Sequence, residues 1–284
     1  MIKSYLSLIK FSHTIFALPF AVIGFFLGVK YTSQIPDWLL LLKIILCMVF
    51  ARTAAMAYNR YADRKIDSIN DRTREREIPS GKISSAAAIT LVIISSLLFI
   101  TTTYFINAIC FYLSPVALAV VLGYSLTKRF TWLCHFILGL GLSLAPIGAY
   151  LAVTGKFDLL PLHFSAAVLA WVSGFDIIYA LQDEQFDKAQ HLHSVPARMG
   201  AKSSLLYARL LHLFSAGILI DAGIDANFGI WYWLGVIVFS LLLIYQHSLV
   251  KADDLSKVNL AFFTTNGVAS IVFACFVVTE LLKS

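Results

Sequence analysis

Long apolar runs separated by short polar turns make up most of the chain. A hydrocarbon core of ~30 Å needs roughly 20 apolar residues per helix. By that measure nine spans can be placed, at approximately 13–29, 38–60, 86–106, 109–127, 131–153, 162–182, 203–222, 228–249 and 259–281. The turns between them are short, with Pro36-Asp37, Thr154-Gly155-Lys156 and Asp225-Ala226-Asn227 as punctuation. Two connections are longer, and both are dense in charge. They follow the second and sixth runs. The pattern predicts an all-α polytopic membrane protein, nine transmembrane helices in one bundle. A single domain, 1–284, is expected, with halves at roughly 1–127 and 128–284.

Composition agrees with the pattern. Of 284 residues 59% are hydrophobic and 13% are charged, about half the roughly 25% charge usual in soluble domains. The net charge of +6 does not point to nucleic acid, because the basic residues lie in short loops. No protein partner is expected. Basic residues concentrate on one side of the bundle, whereas Lys30, Lys156 and Lys283 alone mark the other. Positive charge stays inside, so the amino terminus and both charged connections face the cytoplasm, the inner membrane being the expected location. Lys3 and Lys10 precede an apolar run that continues as a full span, which argues against a cleaved signal. The four cysteines all lie in apolar runs and read as buried small hydrophobes.

The first charged connection carries the candidate chemistry. Asn59, Asp63 and Asp67 fall at i, i+4, i+8, which on a helix stacks three oxygen-bearing side chains on one face. Clustered carboxylates call for a cation, and an all-oxygen set suits Mg²⁺ shared with a substrate's phosphates. Arg72, Arg74 and Arg76 follow, and guanidinium groups grip phosphate oxygens well. The second connection repeats the arrangement with Asp176, Tyr179, Asp183 and Asp187. Each set runs on into a Pro/Gly/Lys/Ser-Ser tail: Pro79, Gly81 and Lys82, then Pro196, Gly200 and Lys202. Two such sets look like an internal repeat sharing one site.

Taken together, N-x-x-x-D-x-x-x-D at Asn59/Asp63/Asp67, D-x-x-Y-x-x-x-D-x-x-x-D at Asp176/Tyr179/Asp183/Asp187 and Y-x-x-x-K at Tyr124/Lys128 resemble the UbiA family of intramembrane prenyltransferases. The resemblance covers nearly the whole chain. It implies a central cavity capped by the cytoplasmic loops. It also implies transfer of a polyprenyl group from its diphosphate to an acceptor, with Mg²⁺ as cofactor. The metal ligands it implies are Asn59, Asp63, Asp67, Asp183 and Asp187, with Arg76 and Lys128 on the diphosphate. Arg72 joins them by proximity and chemistry. Tyr124 and Tyr179 are candidates for the diphosphate or the carbocation, with interfacial aromatics as the alternative. Phe and Tyr are abundant, as an isoprenoid channel or any membrane bundle would have them.

Two deeper charges bear on the acceptor. Arg52 lies seven residues before Asn59, ~10 Å deeper on the same helical face. Asp176 lies seven residues inside the sixth run. Ionisable groups at such depth face a cavity or a partner. Arg52, with His13, is therefore expected to receive the carboxylate of a small aromatic acid, 4-hydroxybenzoate or 1,4-dihydroxy-6-naphthoate. The alternative is an Arg52–Asp176 pair across the cavity. The segment from Lys10 to Ala21 resembles the family branch tied to the futalosine route to menaquinone. Other acceptors in the family are haem, chlorophyllide and phosphoribosyl groups. Outside it, a transporter of divalent cations or phosphorylated metabolites is the competing class. Gly139, Gly141 and Gly148 are expected to let helices approach closely.

Overall fold

The computed structural model describes residues 16–283 together with Tyr5, Ser7 and Leu8. Nine apolar helices cross the bundle among the described residues: α1 (Leu18–Thr32), α2 (Trp38–Ile69), α3 (Ser85–Tyr104), α4 (Ala108–Thr127), α5 (Cys134–Thr154), α6 (Leu159–Ala180), α8 (Val195–Asp225), α9 (Ile230–Leu249) and α10 (Asn266–Lys283). Between α6 and α8 lie a 3₁₀ turn, Leu181–Asp183, and the short α7, Glu184–Ala189. Eight of the nine crossings are long and apolar enough to span a bilayer, whereas α1 has 15 residues. Only helices and closed barrels can keep every backbone group paired in lipid.

Several boundaries differ from the sequence pattern. The first helix sits later than expected, with Pro19 in its first turn, where a missing N–H costs nothing. The second runs nine residues past the expected end, to Ile69. Its 32 residues span ~48 Å, so the last turns project beyond the hydrocarbon and carry Asp63 and Asp67. Asp37 caps its other end, accepting from the backbone N–H of Leu39 at 2.9 Å and Leu40 at 3.1 Å. The seventh crossing begins at Val195 and kinks at Gly200, whose φ of 75° suits only glycine.

The core lies where α1, α5, α6, α8, α9 and α10 meet. Among the eight long spans the most buried is α6. Its Trp171 is fully buried against Phe20, Phe175 and Phe239, and donates through Nε1 to Asn266 Oδ1 at 3.0 Å. Asn266 in turn donates to Phe262 O at 2.9 Å and Ala261 O at 3.2 Å. Those carbonyls belong to a π-helical turn, Leu260–Thr265, that precedes α10. Side-chain amides thus pair backbone groups that the wider turn would leave open in lipid. Gly24 brings α1 onto α5: a Cβ there would stand 2.1 Å from Pro146 O.

Three sequence expectations need correction. Gly139 does serve close packing, since a Cβ would meet Leu169 O at 2.6 Å. Gly148 has no neighbour within 4 Å of that position, and Gly141 makes only ordinary contact; both line the cavity described below. Here the absent side chain leaves room for a ligand. Cys275 is exposed on the lipid-facing side of α10. The cysteine side chain is apolar enough to face lipid as readily as protein.

Candidate active site

A cavity of about 1140 Å³ lies between α2–α4 and the core helices. Both Cys47 and Asp67 of α2 line it, so it runs ~30 Å along that helix. Its inner end is apolar, with Cys47, Phe99, Cys110 and Leu151. Its other end holds both acidic motifs and the loop 70–84, which folds over it. That loop is anchored by Ile78 and Ile83, packed against Ala57, Ala88 and Val92.

The first motif lies on one continuous helix, as its spacing requires. Asn59 Nδ2 donates to Asp63 Oδ2 at 3.2 Å. The second motif does not: the 3₁₀ turn puts a break between Tyr179 and Asp187. Gln182 Nε2 bonds Tyr179 O at 3.1 Å, and the turn re-aims Asp183 towards the loop of the other half.

Each motif aspartate meets one basic residue. Arg129 donates to Asp63 Oδ1 at 3.2 Å, Arg76 to Asp67 Oδ1 at 2.8 Å, and Lys128 Nζ stands 3.8 Å from Asp187 Oδ1. Arg72 grips Asp183 with two nitrogens, Nε at 3.0 Å and Nη2 in closer contact, while its Nη1 donates to Tyr179 OH at 3.2 Å. Asn70 Nδ2 adds a 3.2 Å bond to Asp183. Burial opposes the Arg72 charge, but Asp183 and then Tyr179 outweigh it and hold its pKa above the ordinary guanidinium value. The two halves are thus stitched together by Arg72 and Asp183. Asp67 Oδ2 and Asp187 Oδ1 remain buried without a hydrogen-bond partner. Two open carboxylate oxygens in an all-oxygen cluster fit a hard divalent cation.

A model of the UbiA prenyltransferase family matches residues 17–268. The chain belongs to this family. It is 31% identical over 255 residues to a 4-hydroxybenzoate octaprenyltransferase of Aliivibrio fischeri, covering 88% of this chain and 87% of the relative. Among solved structures it resembles a UbiA homologue of Aeropyrum pernix, with 28% identity and a TM-score of 0.85 over 94% of this chain and 98% of the other. It also shares the fold of an Archaeoglobus fulgidus homologue solved with GPP and Mg²⁺, at 19% identity, with a TM-score of 0.73 over 98% and 99% of the two chains. The chain is therefore an integral membrane enzyme of the prenyltransferase class, and transport is set aside.

The motif residues Asn59, Asp63, Asp67, Tyr124, Lys128, Asp176, Tyr179, Asp183 and Asp187 all line this cavity, as do Arg52, Arg72 and Arg76. His13 lies outside the described residues. Tyr179 stacks on Phe262 with ring centroids 4.1 Å apart. Arg52 makes no ion pair among the described residues, and its Nε is buried without a partner. The Arg52–Asp176 pair is not formed: Asp176 Oδ2 instead bonds His135 Nδ1 at 2.7 Å. His135 occupies the first turn of α5, which packs directly on α6, so it reaches Asp176 first.

Sequence reasoning missed Arg129, Asn70 and His135. Arg129 adjoins Lys128 and was legible only as a positive-inside charge. Asn70 and His135 lie far in sequence from their partners, and nothing in the spacing marks them. His163, Asp221 and Asp225 form a further group at the opposite end of the bundle, with His163 Nε2 at 3.2 Å and 3.8 Å from the two carboxylates. Both aspartates are exposed, and the group stands apart from the cavity.

Proposed function

We propose that this enzyme transfers a polyprenyl group from polyprenyl diphosphate to a small hydroxylated aromatic acid in quinone biosynthesis. The observation that carries the reading is one cavity joining a cluster of carboxylates and cations to a long apolar channel. The polar end suits a diphosphate and the channel suits its lipid tail. Asp63, Asp67, Asp183 and Asp187, with Asn59, would hold Mg²⁺, which when bound neutralises negative charge on the diphosphate. Arg72, Arg76, Lys128 and Arg129 add donors for the same oxygens, and their charge favours departure of pyrophosphate. The chain itself supplies the dry walls that keep water from the allylic cation, and the faces of Tyr124, Tyr179 and Phe262 can stabilise it.

Arg52 supports a carboxylated acceptor, because a guanidinium lining the cavity with no ion pair among the described residues needs an anion. 4-Hydroxybenzoate and 1,4-dihydroxy-6-naphthoate both meet that need, and curated relatives bear the name of the former's enzyme. We read the chain as one domain working with membrane lipid around it. Its site opens to the cytoplasm of a bacterial inner membrane, where diphosphates are made.

The test is pyrophosphate release by purified protein given polyprenyl diphosphate and either acid. Activity is expected to vanish with EDTA and to return with Mg²⁺ or Mn²⁺. Release that ignores the acid, with no prenylated product by mass, would refute the reading.

Sidedness has its own check. Ser68 and Ala189 are exposed beside the two motifs. Cysteine placed at either, in a background lacking the native four, is expected to react with an impermeant thiol reagent only from the cytoplasmic side. Labelling from outside would invert the topology.

A further inference from the structure

Asp176 differs from the four motif aspartates in the company it keeps. Each of those faces a lysine or arginine. Asp176 faces His135, and among the described residues it has no lysine or arginine partner. The imidazole is buried and used at both ends. The backbone N–H of Val195 donates to His135 Nε2 at 3.2 Å. That nitrogen is therefore an acceptor, and the ring proton sits on Nδ1. It points to Asp176 Oδ2 at 2.7 Å. His135 is thus held in place as a donor to Asp176 through Nδ1, as an orienting partner fixes a catalytic group. It fills only one of the two carboxylate oxygens of Asp176. The other has no hydrogen bond among the described residues, and both Asp176 and His135 line the cavity.

Position adds to this. Asp176 lies seven residues before Asp183 and Arg52 seven before Asn59, each ~10 Å deeper than its motif. An acceptor held through its carboxylate by Arg52 has its hydroxyl group at the other end of the ring. A carboxylate that is oriented and open on one oxygen suits a proton acceptor.

We propose that Asp176 takes the proton of the acceptor's ring hydroxyl, with His135 as its positioning residue; this rests on the aromatic-acid reading above. The C–O bond of the prenyl diphosphate breaks and its electron pair leaves with the diphosphate. A ring carbon supplies the pair for the new C–C bond. The hydroxyl proton passes to Asp176, and the O–H pair becomes the C=O of a neutral dienone. The dienone then loses its ring proton to water as Asp176 returns its proton to the oxygen. The net change is one proton released and one pyrophosphate formed.

The experiment compares Asp176→Asn, His135→Gln and His135→Phe in purified protein. Asp176→Asn is expected to lower kcat by about 10²–10⁴-fold, while KM for prenyl diphosphate stays within about twofold. His135→Gln keeps a donor for Asp176 and an acceptor for Val195, so it is expected to retain most of kcat. His135→Phe keeps neither and is expected to lose about tenfold or more. The O-methyl ether of the acceptor has no proton to give. With it, Asp176→Asn and the natural chain are expected to turn over at the same low rate. A parallel rise in KM for prenyl diphosphate would overturn the proposal, as would equal loss in both histidine variants or equal sensitivity of the ether to Asp176→Asn. Failure of the natural chain to alkylate any hydroxylated aromatic acid would instead sink the parent reading.

Discussion

Asp183→Ala is expected to reduce turnover at least about a thousandfold, ~4 kcal/mol of lost transition-state stabilisation, with the fold intact. Asp183 is the point where the halves meet: it takes two donors from Arg72 and one from Asn70. In the proposed chemistry it would hold metal beside the departing diphosphate, where charge develops. Removing it takes away an oxygen ligand and unfastens the loop that carries Arg72. The cost to folding is small, because the freed Arg72 side chain is 30% exposed and water can solvate it. Asp67 is a poorer site for this test. Its carboxylate is buried against a half-buried Arg76, so stripping it costs the fold more than the loss of the more exposed Asp183. The check is kcat from pyrophosphate release beside a melting curve, which is expected to move by no more than ~3 °C. Activity within tenfold of the natural chain would remove Asp183 from the site.

Arg52→Leu is expected to raise KM for the aromatic acid about 10–150-fold, the ~1.5–3 kcal/mol of a charge-assisted hydrogen bond. KM for prenyl diphosphate is expected to change little. Arg52 lies two turns below Asn59, out of reach of the groups that contact the motif aspartates. Among the described residues it has no ion pair to lose, since Asp176 is engaged by His135. Leucine removes a buried charge and fills an apolar wall, so the melting temperature is expected to hold or rise. Initial-rate kinetics with each substrate varied in turn separate the outcomes. Equal weakening of both substrates would make Arg52 a structural residue and remove the argument for a carboxylated acceptor.

The apolar runs determined the helical bundle, because a chain in lipid has few ways to pair its backbone. The i, i+4 spacing of Asn59, Asp63 and Asp67 determined their common face, because the helix is continuous there. The spacing of the second motif misled, since it carries no sign of the 3₁₀ turn, Leu181–Asp183, that separates Asp176 and Tyr179 from Asp187. Charge counting put Lys128 and Arg129 on the basic side of the bundle without assigning either an aspartate. Those assignments depend on which loop folds over which helix, and only the tertiary structure decides that. It pairs Arg72 of one half with Asp183 of the other across 111 residues. It also gives Asp176 to His135 and leaves Arg52 without an ion pair among the described residues. Local spacing fixes what one helix presents; long-range packing decides what each presented group meets.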